Sequence, residues 1–82
     1  MSFAVKFEPK ALKNIERLPK EMQTRVFDKF VEVSKEPFRY LERFSHPTYY
    51  KLRIGDYRAL IEVDFENKIL DVKIFEHRGS IY

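Results

Sequence analysis

Phe3, Val5 and Phe7 alternate with Ala4, Lys6 and Glu8, the two-residue period of a strand with one buried face. Pro9 follows, and proline suits the first turn of a helix because its missing N–H has no intrahelical partner there. Leu12, Ile15 and Leu18 recur at helical spacing up to Pro19, which ends one helix and opens the next. From Lys20 to Lys35, Met22, Val26, Phe30 and Val33 form a second stripe, widened by Phe27. Pro37 stops this helix. Residues 38–48 are less regular, and Pro47 argues against a long helix there.

The period changes in the last third. Tyr50, Leu52 and Ile54 alternate with Tyr49, Lys51 and Arg53, and Gly55-Asp56 follows as a two-residue turn with glycine first, the preference of a type II′ hairpin. Tyr57, Ala59, Ile61 and Val63 then alternate with Arg58, Leu60, Glu62 and Asp64. A second turn around Glu66-Asn67 leads to Leu70, Val72 and Ile74, interleaved with Asp71, Lys73 and Phe75. The expected fold is α+β with element order β-α-α-β-β-β. It is a twisted antiparallel sheet with both N-terminal helices packed on one face, because two amphipathic helices need an apolar surface to cover. Nothing divides residues 1–82, so a single domain is expected.

Composition sharpens this picture. Apolar residues make up 44% of the chain, with eight Phe and five Tyr, enough buryable surface to exclude a disordered chain. Cysteine is absent, which removes disulfides and thiolate metal sites. No apolar run approaches the roughly 20 residues that span a bilayer, and Met1–Phe7 has no signal-like apolar region, so a cytoplasmic protein without membrane attachment is expected. The formal charge of +3 gives solubility and by itself no case for a nucleic-acid partner.

The position of the charges says more. If Ile54 pairs with Tyr57 across the turn, Arg53 lies directly opposite Arg58 on the polar face, with Lys51 two residues back. A second turn centred on Glu66-Asn67 places Lys73 opposite Leu60 on that face. Like charges facing across a sheet destabilise by about 0.2–1 kcal/mol, so the arrangement brings nothing to stability. A phosphate between the two guanidinium groups would offset the repulsion, since arginine forks match its oxygens. The competing reading is an ordinary solvated face, with Glu62, Asp64 or Asp71 pairing some of the cations.

The ending Glu76-His77-Arg78-Gly79-Ser80-Ile81-Tyr82 places His77, Arg78 and Tyr82 just beyond the last strand. Histidine is the side chain suited to acid–base work near neutral pH, which makes His77 a candidate, although an exposed histidine at a strand end is common. No Ser-His-Asp set, phosphate-binding glycine loop or zinc ligand set is evident, so neither metal nor cofactor is expected.

The stretch Tyr50-Lys51-Leu52-Arg53-Ile54-Gly55-Asp56-Tyr57-Arg58, then a strand, then His77-Arg78 and a terminal Ile81-Tyr82, resembles the RelE/ParE toxin superfamily. The opening FEPKALKNIERLPKEMQTRV is similar to that family's first strand and helical pair, so the resemblance spans nearly the whole chain. It implies the toxin of a type II toxin–antitoxin system, an endoribonuclease that cuts messenger RNA in the ribosomal A site. A cognate antitoxin, the ribosome and mRNA are the implied partners. In this reading Arg58 holds the scissile phosphate, and Arg78 stabilises the transition state or protonates the leaving oxygen. Lys51 and Arg53 bind phosphate or help to activate the 2′-hydroxyl, and Tyr82 stacks on a base.

Fixed cations suit metal-free attack by a 2′-hydroxyl, because the step needs positioning and neutralisation of charge. Arginine stays protonated and is a poor base. Like-charged neighbours disfavour an ammonium in general, so Lys51 and His77 are the two candidates for the proton. Glu76 and Glu62 are more remote ones, because some relatives use Glu and His. Two departures from the pattern stand out: several family members carry a short helix after the last strand, which is not expected here, and the matching tyrosine, Tyr82, is the last residue of the sequence. A ParE-like inhibitor of DNA gyrase on the same scaffold is the alternative, although that branch tends to lack the basic constellation. A plain interaction module is the third reading.

Overall fold

Three prolines stand at element boundaries. Pro9 lies in the first turn of α1 (Pro9–Glu16) and Pro19 is the N-cap of α2 (Lys20–Lys35). Between them the Gln23 side-chain amide donates to the carbonyls of Glu16 (3.1 Å) and Leu18 (2.8 Å), satisfying acceptors that the end of α1 leaves open. Pro37 ends α2 and also begins a 3-10 turn, Pro37–Arg39. The protein is described by a computed structural model over residues 2–44 and 46–77. Its strands are β1 (Ala4–Phe7), β2 (Glu42–Arg43), β3 (Tyr49–Ile54), β4 (Tyr57–Asp64) and β5 (Ile69–His77).

The sheet order is β1-β5-β4-β3-β2. β3, β4 and β5 form the expected antiparallel meander, and the two-residue β2 adds antiparallel to β3. β1 lies parallel to β5, with Ala4 beside Ile69 and Phe7 beside Val72, so the α+β sheet is mixed rather than antiparallel throughout. Alternation along β1 marked a strand and its buried face. It carried no information on the neighbour or the direction. β2 is too short to leave a period.

Both helices cover one face. Ala11 and Ile15 of α1 and Val26, Phe30 and Val33 of α2 are buried against Leu52, Ala59, Ile61, Val63, Leu70, Val72 and Phe75. Phe7 packs edge-on against Phe27 and Phe30, with ring centroids 5.6 and 5.1 Å apart. The other face of the sheet is open. Among the described residues no helix is long and apolar enough to cross a membrane.

Two turns set the register of that open face. Gly55 has φ +57°, the left-handed value that a type II′ turn requires at its first central position and that glycine adopts without a Cβ penalty. Four residues, 65–68, join β4 to β5, centred where expected. The Asp64 carboxylate accepts from the backbone N–H and side-chain amide of Asn67 (3.0 and 2.9 Å), which holds the Asp64 carboxyl below its usual range. Lys68 closes this turn at φ 56°.

Past this turn the expected pairing slips. Asp64 faces Ile69 and Ile61 faces Val72, but Leu60 faces Ile74, because a bulge between Leu60 and Ile61 leaves Lys73 without an opposite residue. Everything beyond the bulge changes sides. Phe75, expected on the polar face, is 1% exposed and stacks on Tyr57, whereas Ile74, expected in the core, is 44% exposed. The reason is visible in the packing. An aromatic ring fills the space beside Tyr57 better than a branched aliphatic, and Asn14 of α1 fixes the shifted strand by donating to the Phe75 carbonyl (2.9 Å).

A candidate phosphate site on the open face of the hairpin

The β3–β4 register places Arg53 opposite Arg58, as the Gly55-Asp56 turn implied. Val63 N–H bonds to Thr48 O (2.8 Å), so the even-numbered residues of β3 make the hydrogen bonds across this pair of strands. Arg53 and Arg58 therefore form a non-hydrogen-bonded pair, the type in which facing Cα atoms are only about 4.5 Å apart and side chains are closest. Lys51 sits on the same face one step along, opposite Leu60. Lys51, Leu52, Arg53, Arg58 and Glu42 line one hollow of about 240 Å³.

Two carboxylates reach this cluster. Glu42 of β2 stands opposite Lys51, with Oε1 3.8 Å from its Nζ, and both side chains are well exposed. Glu76 stands opposite Arg58, and its Oε2 accepts from Arg58 Nε at 3.1 Å between half-buried side chains. Among the described residues Arg53 has no carboxylate within ion-pair distance. Three cations against these two carboxylates leave the local cluster net positive, and guanidinium forks suit a tetrahedral oxyanion.

Beside this hollow lies a second one, of about 250 Å³. It shares Lys51 and Arg58 but is floored by Leu60, Ile74 and Phe44. Phe44 is 46% exposed and Ile74 nearly as much, so apolar side chains lie open to water in the middle of a charged sheet face. A polar hollow next to an apolar one matches the two halves of a nucleotide. Phe44, Ile74 and Glu42 are the lining residues that sequence reasoning did not assemble, while Glu76 entered only as a remote candidate for the proton. Phe44 falls in the irregular 38–48 segment. The adjacent apolar pair Ile74-Phe75, which breaks strict alternation, was the available sign of the bulge.

Two expected members lie elsewhere. Lys73, projected opposite Leu60, sits in the bulge, with carboxylates of Asp71 (3.2 Å), Glu62 (3.5 Å) and Glu8 (3.9 Å) around its Nζ. The Asp71 hydrogen bond is the main cause that raises the Lys73 ammonium above its ordinary value, with Coulomb attraction of all three carboxylates adding to it. The positive charge of Lys73 is thus met locally; its work is to hold Glu62 and Asp71, which face each other across β4 and β5, against their own repulsion. The second oxygen of Asp71, Oδ1, is buried without a hydrogen-bond partner among the described residues.

His77 faces Tyr57, and the two rings meet edge-on at 5.1 Å. It lines a hollow with Asn14 and Leu18 of the helical side, so it points away from Lys51, Arg53 and Arg58. The bulge is again the cause: it turns Glu76 to the open face and His77 to the helices. Arg78 and Tyr82, expected in the site, lie outside the described residues. Among the described residues no cluster of three His, Asp or Glu groups suits a metal ion.

Residues 5–82 match the family described as the ParE toxin of type II toxin–antitoxin systems. No curated protein sequence matches the chain. Among solved structures, the toxin–antitoxin complex RelBE2 of Mycobacterium tuberculosis holds a similar chain at 25% identity and TM-score 0.84, covering 95% of this chain and all of that one. The archaeal RelE–RelB complex of Pyrococcus horikoshii gives 23% identity and TM-score 0.82 over 96% of this chain and 98% of that one. The intact Escherichia coli RelBE complex gives 23% and 0.79 over 93% and 96%. At such identities the structures establish a shared fold, while the family match covers nearly the whole sequence. The chain belongs to the RelE/ParE superfamily and is a toxin of the type II toxin–antitoxin kind.

Proposed function

We propose that this toxin is a ribosome-dependent endoribonuclease that cleaves messenger RNA without a metal, by attack of a ribose 2′-hydroxyl on the adjacent phosphate. The observation that carries the reading is the Arg53–Arg58 pair, two like charges placed face to face on a rigid hairpin with Lys51 one step away. Glu76 meets the Arg58 charge, Arg53 has no carboxylate within ion-pair distance among the described residues, and an oxyanion between the two guanidiniums would meet both. In the reaction the 2′-oxygen bonds to phosphorus and the P–O5′ bond breaks, leaving a 2′,3′-cyclic phosphate and a 5′-hydroxyl. The arginines neutralise charge that builds on the non-bridging oxygens. Lys51 is favoured over His77 for the 2′ proton, because Lys51 shares the open face and His77 does not. Arg78 and Tyr82 retain the roles that the family resemblance gives them, at the leaving oxygen and against a base. The apolar hollow at Phe44, Leu60 and Ile74 accommodates a neighbouring nucleoside.

The family and the RelB-bound relatives point to a cognate antitoxin as the protein partner, and a cytoplasmic setting goes with translating ribosomes. The ParE description of the matching family favours one second reading, inhibition of DNA gyrase through a protein interface. Purified toxin added in parallel to programmed ribosomes and to a gyrase supercoiling reaction separates the two. Mapped message ends with intact supercoiling support the nuclease. Blocked supercoiling with intact message would overturn it.

A further inference from the structure

Glu76 sits where an unbroken strand would have put a core residue. Had the β4–β5 register continued past Ile61–Val72, Arg58 would face Phe75, and Glu76 would point toward the helices. The bulge at Leu60–Ile61 exchanges them, burying Phe75 and turning Glu76 onto the open face beside Arg58. Bulges commonly re-aim a side chain in this manner next to functional sites. The contact that results is specific. Glu76 Oε2 accepts from Nε of Arg58 at 3.1 Å, between side chains 32% and 38% exposed, where the pair is screened less than a surface one.

From this geometry, and resting on the ribonuclease reading above, we propose that Glu76 is a positioning residue. It holds Arg58 by its Nε from the β5 side of β4, which fixes the plane of the guanidinium over the open face and sets the edge that meets the scissile phosphate. An arginine side chain samples many rotamers, and a fixed acceptor on Nε removes most of that freedom. Misplacement of a binding group by about 1 Å costs on the order of 10²-fold in rate.

The simpler role for Glu76 is a counter-charge that eases the Arg53–Arg58 repulsion. The two roles part at Glu76→Gln, which keeps a side-chain oxygen that can accept from Nε but loses the charge. As a positioning residue, Glu76→Ala lowers the single-turnover rate of message cleavage on programmed ribosomes by about 10–100-fold, while the half-saturating toxin concentration holds. Glu76→Gln returns most of that rate. Arg58→Ala, Glu76→Ala together are no slower than Arg58→Ala alone, since both changes disable one device.

A second readout needs no ribosome. Hydrogen exchange at Arg58 Nε–H, followed by ¹⁵N NMR, is slow in the wild type and Glu76→Gln and fast in Glu76→Ala. Inorganic phosphate added to the free protein shifts the Arg58 signals less in Glu76→Ala than in Glu76→Gln. The proposal is overturned if Gln behaves like Ala in both readouts. It is overturned equally if Glu76→Ala cleaves as fast as the wild type while Arg58→Ala is inactive. Absence of cleavage by the wild type would instead sink the ribonuclease reading, and with it the role at a scissile phosphate, even where the NMR contrast stands.

Discussion

The bulge in the last sheet pairing inverts two neighbours, and truncating each of them separates the observed register from plain alternation. Phe75 is 1% exposed and stacks on Tyr57 with centroids 5.3 Å apart and planes at 13°. Replacing a buried phenylalanine by alanine costs about 3–5 kcal/mol, from lost transfer energy and the cavity that remains. An aromatic pair adds about 0.5–1.5 kcal/mol beyond burial, which places Phe75→Ala in the upper part of that range. At roughly 0.05–0.15 kcal/mol per residue, a chain of this length has about 4–12 kcal/mol in total, so the variant loses a third of its stability or more. Ile74 keeps 44% of its surface in water, and Ile74→Ala costs under about 1 kcal/mol. Urea unfolding of both variants, with m unchanged from wild type, measures the difference. In Tm the gap amounts to about 4–8 °C for each kcal/mol in a domain this small. If Ile74→Ala were as costly as Phe75→Ala, the strand would run without the bulge, and Glu76 would not reach Arg58.

Two further outcomes follow from the turns and from the Lys73 cluster. Gly55→Ala meets no atom within 4 Å of the added Cβ, so its cost is the left-handed backbone alone, about 1–2 kcal/mol in urea unfolding; no loss would mean that the hairpin turn is not the one described. Lys73 has its ammonium raised from 10.5 by Asp71 first, so its stabilising contribution is complete below about pH 10.5 and is lost as pH rises through the higher folded value. The advantage of wild type over Lys73→Gln in denaturation midpoint should therefore hold at about pH 8–10 and shrink above that; a constant gap up to about pH 12 would show that the carboxylates do not hold the charged form.

What the sequence made legible is whatever repeats. Met22, Val26, Phe30 and Val33 are a helical stripe, and three of them are fully buried. Leu52, Ala59, Ile61 and Val63 alternate, and all are core. Gly55-Asp56 fixed the hairpin and with it the Arg53–Arg58 pair, since a two-residue turn leaves one register. The illegible parts come from places where the period breaks. A bulge adds one residue and reverses every later side chain, which is why Ile74 and Phe75 were assigned to the wrong faces. Three acidic residues from β4, β5 and the start of α1 enclose Lys73, a meeting that no local pattern encodes. Phe44 reaches the site from a segment without periodicity.

The claim on which the functional account rests is that the scissile phosphate lies between Arg53 and Arg58. The most direct measurement is single-turnover cleavage of message on programmed ribosomes by wild type and by Arg58→Ala, with circular dichroism to verify that both are folded. The account predicts a loss of about 10²–10³-fold for the variant, the scale seen when one donor to a developing oxyanion is removed. Equal cleavage by a folded Arg58→Ala variant would contradict it.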